Sequence, residues 1–234
     1  MIHSGSRNLG LKVAKYYDKL AVELNEKWKS GVPKSWQLAF LPVESEEGKA
    51  YIREMNYCVE FALANRKLMM ERVVEIFDNY YKENWDYGKM IGVFESEPMI
   101  NIAHNYASLE NHFGKDVWIH RKGATLAREG TIGIIPGSMG SKSYIVEGLG
   151  NPESFMSCSH GAGRMMSRTK AKSELNLGAE IKLLDDQGII HGLRHVSNLD
   201  EATSAYKSID EVMENQKDLI KIKITLTPLA VIKG

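Results

Sequence analysis

His160 stands directly before Gly161, Ala162 and Gly163, and Arg164 and Arg168 follow four residues apart. An imidazole is the nitrogen nucleophile of covalent phosphoryl or nucleotidyl transfer. Glycines let a ligand approach the backbone closely, and guanidinium groups grip phosphate oxygens in a bidentate fork. The spacing suggests a helix over 161–172. Both arginines would then share one face, with His160 at the mouth of an anion-binding helix start. A loop around a buried structural histidine accounts for the same residues equally well.

Two more of the seven histidines sit among small polar residues, His3 in "HSGSR" and His104 in "AHNY". Each alone reads as a hydrogen-bonded structural residue. Together with His160 they suggest a shared site, and imidazole suits manganese or zinc. His104 is expected to end a strand, "MINIAH". Asn105 after it would supply a phosphate or supporting contact or cap the next element. "IPGSMGSKSYIV" offers a tight turn from Pro136, Gly137 and Gly140. It is expected to present exposed backbone N–H groups and the hydroxyls of Ser138, Ser141 and Ser143, with Met139 between them. The turn lacks the Gly-Lys-Ser/Thr ending of a Walker loop, and an ordinary hairpin turn is the alternative. Arg7 joins Arg164 and Arg168 as a phosphate candidate, each also readable as a surface ion pair. "HRK" at 120–122 reads as a surface charge cluster, His112, His191 and His195 as structural, and Cys158 as a small buried residue.

These residues must be carried by a mixed fold. An amphipathic helix is expected from about Leu11 to Trp28 and a longer one from Glu46 to about Trp85, its apolar stripe and methionines serving as core. The second half changes to short β-branched runs bounded by glycine, "VWIHRKG", "GTIGIIPG" and "SYIVEG", which read as strands. A further helix fits "LDEATSAYKSIDEVMENQ", with Asp200 as its cap, and "IKIKITLTPLAVIKG" reads as a closing strand. The fold class is α+β.

The 234 residues carry 43% hydrophobic and 26% charged side chains and a formal net charge of zero, which suits a globular protein and gives no electrostatic sign of nucleic-acid binding. Two cysteines are too few for a disulfide framework and suit a reducing, cytoplasmic setting. No apolar run is long enough to span a membrane, and no membrane partner is expected.

In order, "MIHSGSRNLG", "AHNYA", "HRKGAT", "GIIPGSMGSKSYIVEG", "SCSHGAGRMMSR", "LDEATSAYKSIDEVM" and the final "IKG" resemble the motifs of the RtcB family of RNA ligases. The likeness runs from the first residue to the last. It implies RtcB-like mixed sheets with surrounding helices, and an enzyme dependent on GTP and Mn2+ that joins RNA 3′-phosphate or 2′,3′-cyclic phosphate ends to 5′-hydroxyl ends, as in tRNA splicing or RNA repair. By the same resemblance His160 is the nucleophile that carries GMP. Guanylate contacts fall on His104, Asn105, Pro136, Gly137, Ser138, Met139, Ser143, His160, Gly161, Ala162, Gly163 and Lys233, with Tyr206 stacking on the base. Arg7, Arg164 and Arg168 would hold phosphates.

The departure from the family pattern is at the start. In the family "HSGSR" lies well inside the chain, and the upstream part carries an aspartate, a metal-bridging cysteine and an asparagine-histidine motif. The expectation is one RtcB-like ligase domain over 1–234, truncated at its N-terminus, with His3 and His104 as ligands of one of two Mn2+ ions. A separate N-terminal polypeptide and an activating protein are the partners this raises beside the RNA. The alternative reading is a non-catalytic RNA- or nucleotide-binding fragment, or one half of a split ligase that is inactive alone.

Overall fold

The structure, a computed structural model, describes residues 1–84 and 99–233. It is α+β, with five α-helices and nine short strands among the described residues. The chain divides into two compact units, Met1–Ala107 and Ser108–Gly234.

The first unit is built on α1 (Arg7–Trp28) and α2 (Glu46–Asn84). Trp85, where the long helix was expected to end, lies outside the described residues. α1 buries Tyr17, Ala21 and Asn25, spaced four apart on one face. It stops where Lys29 adopts a left-handed conformation and donates its N–H to the Asn25 and Glu26 carbonyls. Ser45 caps α2, its Oγ accepting from the Gly48 N–H at 3.0 Å. The helices meet through the rings of Tyr17 and Tyr51, 5.1 Å apart, and through Gly10 beside Cys58. A side chain on Gly10 would run into Ser6 Oγ at 2.1 Å and reach Cys58 Cβ at 3.9 Å.

The expected apolar core stripe of α2 holds only in part: Ile52, Met55, Val59 and Leu63 are half-buried, but the stripe does not continue into the C-terminal half. Its buried residues are Gly48, Cys58, Ala62 and Arg66. Met69, Phe77 and Tyr80 are exposed, and Ile76 keeps 67% of its surface in solvent. The fully buried line is narrow and made of small residues and Arg66, flanked by the half-buried Met55, Val59 and Leu63, while the large apolar residues beyond Arg66 are mostly exposed.

β1 (Asn105–His112), most of it in the second unit, and β2 (Lys115–Lys122) form a hairpin. Its two-residue turn has positive φ at both Phe113 and Gly114, matching the twist of the strands. β3 (Ala124–Leu126) pairs antiparallel with β6 (Ser157–Ser159). β4 (Ile132–Ile135), β5 (Ser143–Gly148) and β8 (Ile220–Leu226) form an antiparallel sheet with β5 central. β5 buries alternate residues, Tyr144 and Val146 among them. β7 (Ile190–His191) and β9 (Ala230–Val231) pair in parallel. Helices α3 (Arg168–Glu174), α4 (Leu177–Asp185) and α5 (Ile209–Glu214) are capped by Ser167, Asn176 and Ser208.

Ile135, Tyr144, Val146 and Cys158 centre one apolar cluster, and Leu184, Ile189, Leu193 and Leu199 another. Each large aliphatic chain so buried contributes about 1.5–3 kcal/mol. Met139 packs against the second cluster and anchors the β4–β5 loop.

Three expectations about elements fail. Residues 99–103 are irregular, so His104 precedes a strand instead of ending one. No helix covers 161–172, because α3 begins only at Arg168. Residues 163–165 instead pair with 205–207, through Lys207 N–H to the Gly163 carbonyl at 3.0 Å and Met165 N–H to the Ala205 carbonyl at 2.9 Å. The long helix expected through 199–216 is reduced to 3-10 turns and the six residues of α5.

Candidate functional site

In the first unit His3 and His104, 101 positions apart, bring their Nε2 atoms to 3.3 Å. Their rings meet edge to face with centroids 5.3 Å apart. Two imidazole nitrogens on one divalent ion, each bond about 2.1 Å, lie about 3.0 Å apart at a right angle and about 3.4 Å at a tetrahedral one. The pair therefore fits two adjacent positions on one ion. Among the described residues no group of three or more His, Cys, Asp or Glu gathers to hold a metal. Arg7 opens α1 with φ of 54°, an uncommon conformation for a non-glycine residue.

Behind the pair stands a residue the sequence reading passed over. Arg66 donates from Nη1 to the Ser4 carbonyl at 2.9 Å and from Nε to Asn101 Oδ1 at 2.7 Å. Asn101 Nδ2 donates to the Leu63 carbonyl at 3.0 Å. Asn65 Nδ2 reaches Ser4 Oγ at 3.1 Å and the Gly5 carbonyl at 3.2 Å. A signal was present, since Arg66 continues the line Cys58, Ala62 at four-residue steps. A charged residue in a buried register calls for partners.

In the second unit His160 follows β6, and its N–H donates to the Gly123 carbonyl at 3.3 Å. Gly123 has φ of 75°, and a side chain there would stand 3.6 Å from the His160 ring. The imidazole thus sits against a bare backbone and does not open a helix. Gly161 and Ala162 are buried, and a side chain on Gly161 would come within 3.2 Å of the Pro136 carbonyl. Loops 136–143 and 160–163 therefore touch.

The β4–β5 loop differs from expectation. Three of its N–H groups are already occupied by side chains: Gly137 donates to Ser143 Oγ at 3.1 Å, Ser138 to Ser141 Oγ at 2.7 Å, and Gly140 to Thr203 Oγ1 at 3.0 Å. The serines satisfy the backbone, and what the loop offers a ligand is the remaining hydroxyl valence of Ser138, Ser141 and Ser143.

Arg164 and Arg168 converge without a shared helix. Arg164 Nη1 reaches Glu201 Oε2 at 3.3 Å and Tyr206 Oη at 3.1 Å, while Arg168 Nε donates to Glu201 Oε1 at 2.9 Å. Tyr206 also donates to Glu201, and its ring lies under the Arg164 guanidinium at 4.9 Å. Burial, then the carboxylate of Glu201, pushes the Tyr206 hydroxyl up to about 12. Lys233 lies beyond β9 instead of within a strand and pairs with Asp200, which does not cap a helix. Asp200 also faces Lys172 at 3.7 Å. The acidic pair Asp200-Glu201 thus gathers the basic residues, a role that "LDEATSAYK" carries in plain sight.

Arg121 departs from the expected surface charge cluster, while His120 and Lys122 are exposed as expected. Arg121 is 2% exposed and holds Glu110 through Nη1 at 2.5 Å and Nη2 at 3.1 Å. His112 bonds the same carboxylate at 3.1 Å, and His191 pairs with Asp185 at 3.1 Å; both are structural, as expected. Cys158 is buried beside Thr125, and burial pushes its thiol up.

A family model described as tRNA-splicing ligase RtcB matches residues 1–234. The chain is 40% identical over 234 residues to the RNA-splicing ligase RtcB of Escherichia coli (strain K12), covering all of this chain and 55% of that protein. It is 36% identical over 258 residues to the tRNA-splicing ligase RtcB of Nanoarchaeum equitans, and 35% identical over 261 residues to that of Thermococcus kodakarensis, each covered over 52% of its length. The chain spans about half the length of these curated relatives.

Proposed function

Since the chain belongs to the RtcB family, we propose that it is the nucleotide-handling part of an RNA ligase. The ligase joins an RNA 3′-phosphate, or a 2′,3′-cyclic phosphate opened to one, to a 5′-hydroxyl end. GTP is a substrate. His160 attacks its α-phosphorus, a nitrogen–phosphorus bond forms, and pyrophosphate leaves. The guanylate passes to an oxygen of the RNA 3′-phosphate, freeing the imidazole. The 5′-hydroxyl oxygen then attacks that phosphorus, loses its proton, and GMP departs.

The observation that carries this reading is the convergence of three loops in the second unit. Loop 136–143 touches Gly161 and Thr203, and Arg164 is bonded to Tyr206 and Glu201. Ser138 and Ser143 offer hydroxyls to the nucleotide. Gly161 and Ala162 let the two loops meet closely, the exposed Gly163 leaves room for a phosphate, and Arg164 and Arg168 hold its oxygens. Pro136, Gly137, Met139 and Lys233 complete the guanylate contacts of the second unit and Tyr206 stacks on the base; His104 and Asn105 are carried over from the family resemblance alone. Arg7 serves an RNA phosphate. Mn2+ held by His3 and His104 would supply charge neutralisation. Both cysteines are unpaired, consistent with the reducing cytoplasm where this reading places the protein. No helix among the described residues is long and apolar enough to cross a membrane.

A second reading, a non-catalytic nucleotide- or RNA-binding piece, is favoured by one observation, the two-imidazole metal set. Labelled GTP and Mn2+ incubated with the chain, alone and joined to the remaining half of the Escherichia coli relative, decide between them. The expected result is an acid-labile, alkali-stable adduct on the joined protein that His160→Ala abolishes. An adduct on His160→Ala overturns the nucleophile. Guanylate binding without adduct or RNA joining leaves the second reading.

A further inference from the structure

We infer that Arg66 is a positioning residue that sets the separation of His3 and His104, and so the affinity of the metal pair. The inference rests on the metal reading of that pair. His3 belongs to one loop and His104 to another, and no covalent or secondary-structure link joins the loops locally. Arg66 touches both. Its Nη1 holds the Ser4 carbonyl, one residue after His3, and its Nε holds Asn101, three residues before His104. The two bonds leave one planar guanidinium in fixed directions, so the loops take their spacing from a rigid fork. Asn101 is fixed in turn by the Leu63 carbonyl, on the same turn of α2 as Arg66. Asn65 secures Ser4 and Gly5 from that turn as well.

The cost of the arrangement supports a functional reading. Arg66 is only 9% exposed, and among the described residues no carboxylate pairs with it and its buried Nη2 has no hydrogen-bond partner. Burying an unpaired guanidinium is expensive. A well-packed apolar residue would serve stability better but could not span a carbonyl and an amide. Metal sites are sensitive to such support, and loss of an outer partner commonly lowers affinity 10–100-fold, as an order of magnitude.

The test uses Zn2+ as probe, because it binds a nitrogen site more tightly than Mn2+. Zn2+ is titrated calorimetrically into the wild-type chain and into His3→Ala, His104→Ala, Arg66→Lys, Asn101→Ala and the Arg66→Lys/Asn101→Ala double variant. Circular dichroism confirms folding of each. Arg66→Lys keeps the charge but loses the fork, and Asn101→Ala removes the second arm without touching the arginine. Each is expected to raise the Zn2+ dissociation constant roughly tenfold. The double variant should be no worse than about one single, because both break the same bridge. If both histidine variants bind Zn2+ like wild type, the metal reading itself fails. If they lose Zn2+ while folded Arg66→Lys and Asn101→Ala retain wild-type affinity, the metal reading stands and the positioning role of Arg66 is overturned.

Discussion

Arg121 and Glu110 form a buried ion pair bridging β2 and β1, with Nη1 2.5 Å from Oε1. Ser157 Oγ and the Phe155 carbonyl accept further bonds from the same guanidinium, at 3.0 and 3.1 Å. Removing one partner leaves the other charged and uncompensated, so Glu110→Gln should destabilise by about 3–5 kcal/mol in urea melts. The pH dependence has a definite sign. The hydrogen bond from Arg121, aided by Ser108 and His112 against burial, holds the Glu110 carboxyl down to about 2. Its unfolded value is about 4.3. The contribution is therefore complete above that value and lost as pH falls toward 2. Wild type should lose stability over this window more steeply than Glu110→Gln, and parallel curves would refute the assignment.

Gly137→Ala should disable the β4–β5 loop. The new Cβ would stand 2.1 Å from the Lys142 carbonyl oxygen and 2.5 Å from Ser141 Oγ, so backbone must move. Gly133→Ala is the control, because its Cβ would meet Val146 Cγ2 at an ordinary 3.4 Å. Guanylate titration should show binding lost in the first variant and kept in the second, with about 1–3 kcal/mol of destabilisation in the first alone.

The two arginines on Glu201 should separate by stability while agreeing in function. Arg168 is 68% exposed, and Arg168→Ala should cost under about 1 kcal/mol. Arg164→Ala removes bonds to Met166, Glu201 and Tyr206 and the contact over the Tyr206 ring, and should cost about 2–3 kcal/mol. Guanylate affinity should fall roughly tenfold in both, one lost charge-assisted bond being worth about 1.5 kcal/mol or more. Unchanged affinity in both would remove them from the phosphate site.

Lys233→Ala should change the melting temperature little, because its pairing with Asp200 is partly exposed and such pairs contribute about 0–1 kcal/mol. The joined protein should nonetheless lose guanylylation. A large drop in melting temperature with normal labelling would make Lys233 structural.

The family was easier to read from the sequence than the scaffold. His160, Gly161 and Arg164 lie within five residues, so the candidate site they suggest can be named wherever the chain runs. α1, β4, β5 and β8 were legible because each declares its periodicity locally. Three departures share one cause, a partner elsewhere in the chain. Residues 163–165 are extended because 205–207 pair with them. Arg121 is buried because Glu110 waits on the adjacent strand. Arg66 is explained by Ser4 and Asn101, 62 and 35 positions away.

The β4–β5 loop, with three of its N–H groups bonded to Ser143, Ser141 and Thr203, has a kinetic consequence. A segment that is already ordered loses little conformational entropy when a ligand arrives. Guanylate should therefore associate without waiting for the loop to fold, and substitutions of its hydroxyls should appear as faster dissociation, with the association rate almost unmoved.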